Sequence, residues 1–157
     1  MPTFDAIVFP ADDRPPHIVP LMITAVSLPA AAGSSAEPYR CGRAPHPEVY
    51  MDYIADQLGS QAWRYHLIEA LDGMIKKFTT PYILFYPVIS RDGMPFPVNK
   101  CIREIQLQAQ TYDEARAWRG NLVIAKYRDA DYSAMIDASM ADFPIIKNYL
   151  STHLAPS

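Results

Sequence analysis

The densest set of reactive side-chain types in the chain is Tyr39-Arg40-Cys41-Gly42-Arg43-Ala44-Pro45-His46. A thiol between two arginines, with an imidazole a few residues further on, can lose its proton more readily than an isolated cysteine. Cys41 would then be a nucleophile, His46 its base, and Arg40 or Arg43 the group that steadies developing negative charge. Tyr39, Arg40, Arg43 and His46 could equally hold a small anionic ligand. Pro47 and Glu48 suit the first turn of a helix, whose free amides would add to that attraction. A cysteine and a histidine at this spacing in an extended loop can stand ~15 Å apart, so catalysis requires the loop to fold back. An ordinary surface loop is therefore the first expectation, anion binding the second and catalysis the third.

Other chemistry is thinly represented. Neither GxGxxG nor GxxxxGK[ST] occurs, which argues against the nucleotide enzymes built on those loops. GxSxG is absent too, and Ser34 and Ser35 read as linker residues. His17, His46, His66 and His153 stand apart from one another, without CxxC or HExxH, so no metal and no cofactor is expected. His66 reads as a packed side chain and His153 as a favourable charge near a helix end. Asp12, Asp13 and Arg14 could bring carboxylates to a cleft, but acidic residues between prolines are also what a turn selects, and turn formation is the expected reason for them.

The chain has 157 residues, half of them hydrophobic and 20% charged, enough for one globular domain over 1–157 with a core of its own. Cys41 and Cys101 are too sparse for a disulfide scaffold. Met1-Pro2-Thr3-Phe4-Asp5 lacks the pattern of a signal peptide, and no apolar run is long enough to span a bilayer. The expectation is a soluble cytoplasmic or nuclear protein that is neither secreted nor bound to a membrane. Net charge is −3, unevenly spread: residues 76–128 hold nine basic and four acidic residues, the remainder five and thirteen. Such a basic segment could meet an anion, a nucleic acid, a protein partner or the acidic face of a second copy, although a solvated surface is the commoner outcome. For nucleic acid, the candidate patch is Arg91, Lys100, Arg103, Arg116, Arg119, Lys126 and Arg128.

Positioning these residues requires a framework. Phe4–Phe9 reads as a strand closed by Pro10, Leu21–Leu28 as a strand buried on both faces, and Tyr82–Tyr86 as another. Residues 29–46 form a long, Pro/Gly/Ser-rich connection of the kind that is functional or mobile. Tyr50, Tyr53, Ile54 and Leu58 follow helical spacing up to Gly59. After Ser60, Trp63, Leu67, Leu71, Met74 and Phe78 form a second helical stripe, which predicts an αα-hairpin over the sheet. Asp92-Gly93 signals a hairpin whose returning strand, Met94-Pro95-Phe96-Pro97, lies at an edge because of its prolines. Residues 100–110 fit neither period, 112–118 suggest a short helix, and Asn121–Tyr127 is a strand. The tail from Tyr132 to Leu154 reads as helical with a break at Asp142-Phe143-Pro144. The fold class is α+β: an antiparallel-rich or mixed sheet packed by an αα-hairpin and a C-terminal helix.

Ala117-Trp118-Arg119-Gly120-Asn121-Leu122-Val123-Ile124-Ala125-Lys126-Tyr127-Arg128 and the stretch from Asp137 to Leu150 resemble short proteins of mushroom-forming (basidiomycete) fungi. The resemblance covers roughly the C-terminal third, implies a eukaryotic cytosolic or nuclear setting and carries no chemistry. The function expected from the residues is a non-catalytic module that binds a ligand, a protein or a second copy of itself. The alternatives are a small cysteine-dependent enzyme using residues 39–46 and a weak nucleic-acid binder using residues 76–128.

Overall fold

The structure, a computed structural model, describes residues 3–22, 60–90, 94–130 and 134–156. Its strands are β1 (Thr3–Phe9), β2 (His17–Met22), β3 (Ser60–Ile68), β4 (Tyr82–Ser90), β5 (Leu122–Tyr127) and β6 (Met135–Ile136). Its helices are α1 (Lys100–Gln108) and α2 (Phe143–Thr152), with short 3-10 turns at Glu114–Arg116 and Met140–Asp142. The sheet order is β2-β1-β5-β4-β3, every pairing is antiparallel, and β6 adds to the end of β5. The fold is α+β with an antiparallel sheet and a C-terminal helix, as the sequence indicates.

The central strands carry apolar side chains on both faces because both faces are covered. Ala6 and Val8 of β1, Ile83 and Phe85 of β4, and Val123, Ala125 and Tyr127 of β5 share one buried cluster with Tyr65 and Met135. The alternating residues Ile7, Phe9, Tyr82, Leu84, Leu122 and Ile124 share the other. There they meet Ile102 and Ile105 of α1, Ile146, Tyr149 and Leu150 of α2, and Trp118. Both described helices therefore lie on one face, set by the two-residue period of the strands against the helical spacing of 102/105 and 146/149/150. Pro20 sits in β2, whose only described partner is β1, consistent with the tolerance of edge strands for a residue with no amide donor. Pro87 lies opposite Trp63, where the β3–β4 register shifts, and a missing donor accounts for a local break in the ladder. No helix among the described residues is long and apolar enough to cross a membrane.

Several expectations change. The helix expected from Ser60 to Phe78 is strand β3 followed by a loop, so the αα-hairpin does not form; its first half, 47–58, lies outside the described residues. The helical stripe had left Tyr65 and Ile68 unused, and a strand employs both, on opposite faces. Gly73 has φ +84°, a conformation that suits glycine and ends any helix there. The Phe78 amide then donates to the Glu69 carbonyl at 2.7 Å, closing the loop. Leu21 and Met22 end an edge strand, and the rest of the expected central strand 21–28 is not among the described residues. Residues 94–97 form no strand; Val98 makes an isolated bridge to Arg119 instead. The ambiguous 100–110 segment is α1, residues 112–118 contain only a 3-10 turn, and the first part of the helical tail is β6 and a second 3-10 turn.

Ile68 and Ile75 are seven residues apart, so a helix would place them on the same side, two turns apart, with similar burial. In the structure Ile68 is 0% exposed and Ile75 100% exposed. Urea unfolding should show Ile68→Ala destabilised by about 2–5 kcal/mol and Ile75→Ala changed by less than about 0.5 kcal/mol. Equal losses would restore the helix.

Candidate functional site

Asn99 precedes α1, and its side chain is 0% exposed. Its Oδ1 accepts from the Ile102 amide at 3.1 Å, capping the helix. Its Nδ2 donates to the carbonyls of Phe9, at the end of β1, and Gly120, just before β5, at 2.8 and 3.0 Å. Asn121 supplies a second anchor, with Oδ1 accepting from the Ala11 amide at 2.7 Å. The turn after β1 and the start of α1 are thereby fixed against the same end of the sheet.

Between them lies a cleft of about 400 Å³. One wall is the turn 12–16. Asp12 Oδ1 accepts from the Arg14 amide at 2.9 Å, and both Asp12 oxygens accept from Arg14 Nε at 3.0 Å. These bonds, first from the Arg14 side chain and then from its amide, hold the Asp12 carboxyl below the usual aspartate range. The opposite wall is the α1 face carrying Lys100, Cys101, Glu104, Ile105 and Gln108, with Phe143 and Lys147 of α2 beside it. These α1 positions fall on one face because residues four apart are neighbours on a helix. The Lys100 ammonium bridges the two walls, donating to Asp13 Oδ1 at 2.9 Å. Glu104 and Lys147 form no ion pair with each other or with any other described residue. Burial pushes the Cys101 thiol above its ordinary pKa, and the nearby Lys147 charge only partly offsets this. That thiol is therefore protonated at neutral pH and a poor nucleophile.

Tyr39, Arg40, Cys41, Arg43 and His46 lie outside the described residues, as does the rest of 29–46. Asp12, Asp13 and Arg14 do form the expected turn, and they also line the cleft. Cys101, Glu104, Phe143 and Lys147 carry no site expectation from the sequence, and Lys100 only one as part of a nucleic-acid patch. The legible signal was Asn99 as a cap, which puts 100, 101, 104, 105 and 108 on a common face.

The three described histidines are structural partners. The His66 ring hydrogen-bonds the Tyr149 hydroxyl and meets the edge of Trp118. His153, just beyond α2, stacks on Tyr149 with centroids 3.8 Å apart and lies 3.5 Å from Asp72. His17 Nδ1 donates to the Pro15 carbonyl at 2.9 Å. Among the described residues no cluster of three or more histidine, cysteine or acidic side chains is placed to hold a metal ion. Five of the six described members of the candidate nucleic-acid patch engage separate partners: Lys126 pairs with Asp142, Lys100 with Asp13, Arg128 with Asp129, Arg119 with the Phe96 carbonyl and Arg116 with the Ala155 carbonyl.

Immediately before α2, Asp142 is a buried carboxylate, 6% exposed. It accepts from the Tyr82 hydroxyl at 2.7 Å, the Ser139 amide at 2.8 Å and the Lys126 ammonium at 3.0 Å. Burial alone would raise its pKa, but the bonds from Tyr82, Ser139 and Lys126 outweigh that and lower it. The Tyr82 phenol moves the other way, raised first by burial and then by the anion it serves.

Neither a protein-family model, a curated protein nor a solved structure matches this chain.

A carboxyl whose pKa is depressed on folding adds stability that is complete well above its unfolded pKa of about 4 and disappears as pH falls through the folded value. Asp142→Asn should therefore cost about 1–3 kcal/mol at pH 7. The deficit should shrink as pH falls below the unfolded value of about 4 and through the lowered folded one, where the native carboxylate takes up its proton. Urea unfolding at a series of pH values measures this; a deficit independent of pH would assign the loss to packing.

Proposed function

We propose that the chain is a non-catalytic ligand-binding module whose ligand occupies the cleft between the 12–16 turn and the helix pair α1–α2. The observation that supports this is the make-up of the cleft: about 400 Å³ with apolar atoms of Ile105, Phe143 and Cys101 beside converging charges of both signs. That size and mixture is typical of small-molecule sites. The walls are set by buried hydrogen bonds of Asn99 and Asn121, so the site is largely formed before a ligand arrives, which lowers the ordering cost of binding. A neutral, half-buried thiol suits holding a ligand better than attacking one.

Backbone amide spectra recorded with a library of small organic acids, amines, zwitterions and neutral compounds test this reading. The expected result is a subset of compounds whose shifts concentrate at Arg14, Lys100–Gln108 and Lys147. Gln108→Trp, at an exposed position on the rim, should abolish those shifts while changing stability by less than about 0.5 kcal/mol. A library that moves none of these amides, or shifts that survive Gln108→Trp unchanged, would overturn the assignment.

A further inference from the structure

We infer that this cleft, taken as the binding site proposed above, selects small zwitterions: an ammonium and a carboxylate carried on one apolar body. The ammonium would face Glu104 and the carboxylate Lys147.

The charges that line the cleft divide into two kinds. Asp12 is matched by Arg14 within the turn, and Asp13 by Lys100 across the mouth. Those pairs nearly cancel at any distance larger than their own separation. What remains is one acid, Glu104 on α1, and one base, Lys147 on α2, neither in an ion pair among the described residues. A pure anion would be attracted to Lys147 but would meet Glu104 in the same small volume. A pure cation would meet the reverse. A molecule carrying both charges satisfies both helices at once.

The apolar surface lies in the same cleft. Ile105 lies one turn along α1 from Cys101, and Phe143 lies one turn before Lys147 on α2. An aliphatic or aromatic body would bury against these groups while its charged end bridges the helices. An apolar α-amino acid has this chemistry.

Four probes sharing one aliphatic chain separate the contributions: L-norleucine, hexanoate with the ammonium removed, 1-pentylamine with the carboxylate removed, and 1-pentanol with neither. Titrations followed at the cleft amides in low salt should give L-norleucine an affinity about two- to fivefold above hexanoate and above 1-pentylamine, the gain expected for each partly exposed ion pair. Glu104→Gln should remove the advantage over hexanoate, and Lys147→Gln the advantage over 1-pentylamine, each without moving the other comparison.

Equal binding of 1-pentanol and L-norleucine would overturn the inference while leaving a ligand-binding cleft in place. Hexanoate binding more tightly than L-norleucine would do the same and indicate an anion site. A zwitterion preference that survives both substitutions would show that other groups set it. Failure of all four probes to shift the cleft amides would refute the inference as well, and the compound library above would then decide the broader reading separately.

Discussion

The geometry of the molecule turns on the buried amide of Asn99. Its side chain satisfies the carbonyl that ends β1, the carbonyl that precedes β5 and the free amide in the first turn of α1. Its own amide donates to the Trp118 carbonyl at 2.8 Å. Each of these groups is costly to bury alone, about 1–3 kcal/mol for an unmet partner. No smaller or apolar side chain can meet all of them at once. The helix start, the sheet end and the segment carrying Trp118 are therefore bound to a single point, and the turn that follows β1 leaves from that point.

Apolar contact explains why α1 and α2 lie on the sheet, but not why they lie where they do, because hydrophobic burial has little direction. Direction comes from the last carbonyls of α2, which have no partners within the helix. Gln106 of α1 donates to the carbonyls of Leu150 and His153, Trp118 Nε1 donates to that of His153, and Thr111 to that of Ser151. At the other end of α2, Asp142 is held by Tyr82 and Lys126 of the sheet. The two helices are thus pinned at both ends of α2 by polar groups that would be left unsatisfied in any other register. The cleft inherits its shape from these pins, since Lys147 and the α1 face move only if the pins break.

The legible parts of the fold were those in which one period holds without competition. β1, β4 and β5 alternate apolar residues over both faces, and the sequence signals for them agree with their positions within a few residues. Residues 60–78 misled because Trp63, Leu67, Leu71, Met74 and Phe78 mimic a helical stripe while spanning a strand and a loop. Tyr65 and Ile68, which a helix would have exposed, and Gly73 all stand against the helix. α1 was ambiguous because its apolar set is only Ile102, Ile105 and Leu107, and Leu107 is in fact half-exposed. The cleft itself was not legible. It joins residues 12–16, 100–108 and 143–147, and no local pattern announces a site built from segments so far apart in the chain. The cysteine–arginine loop at 39–46 was legible as chemistry, but it falls outside the described residues.

Turn formation and cleft lining looked like competing explanations for Asp12, Asp13 and Arg14, and the structure makes them complementary. The turn uses Asp12 to bind the Arg14 amide and guanidinium, so the local charges are spent on each other and the bend is rigid. The exposed Lys100–Asp13 pair adds little stability, since such surface pairs contribute at most about 1 kcal/mol and are screened by salt. It can therefore open and close at small cost, whereas the Asn99 and Asn121 bonds cannot. The consequence is a cleft with a fixed floor and an adjustable rim. Its thiol is kept neutral by the same burial that makes the floor apolar, so that burial also suppresses covalent chemistry there.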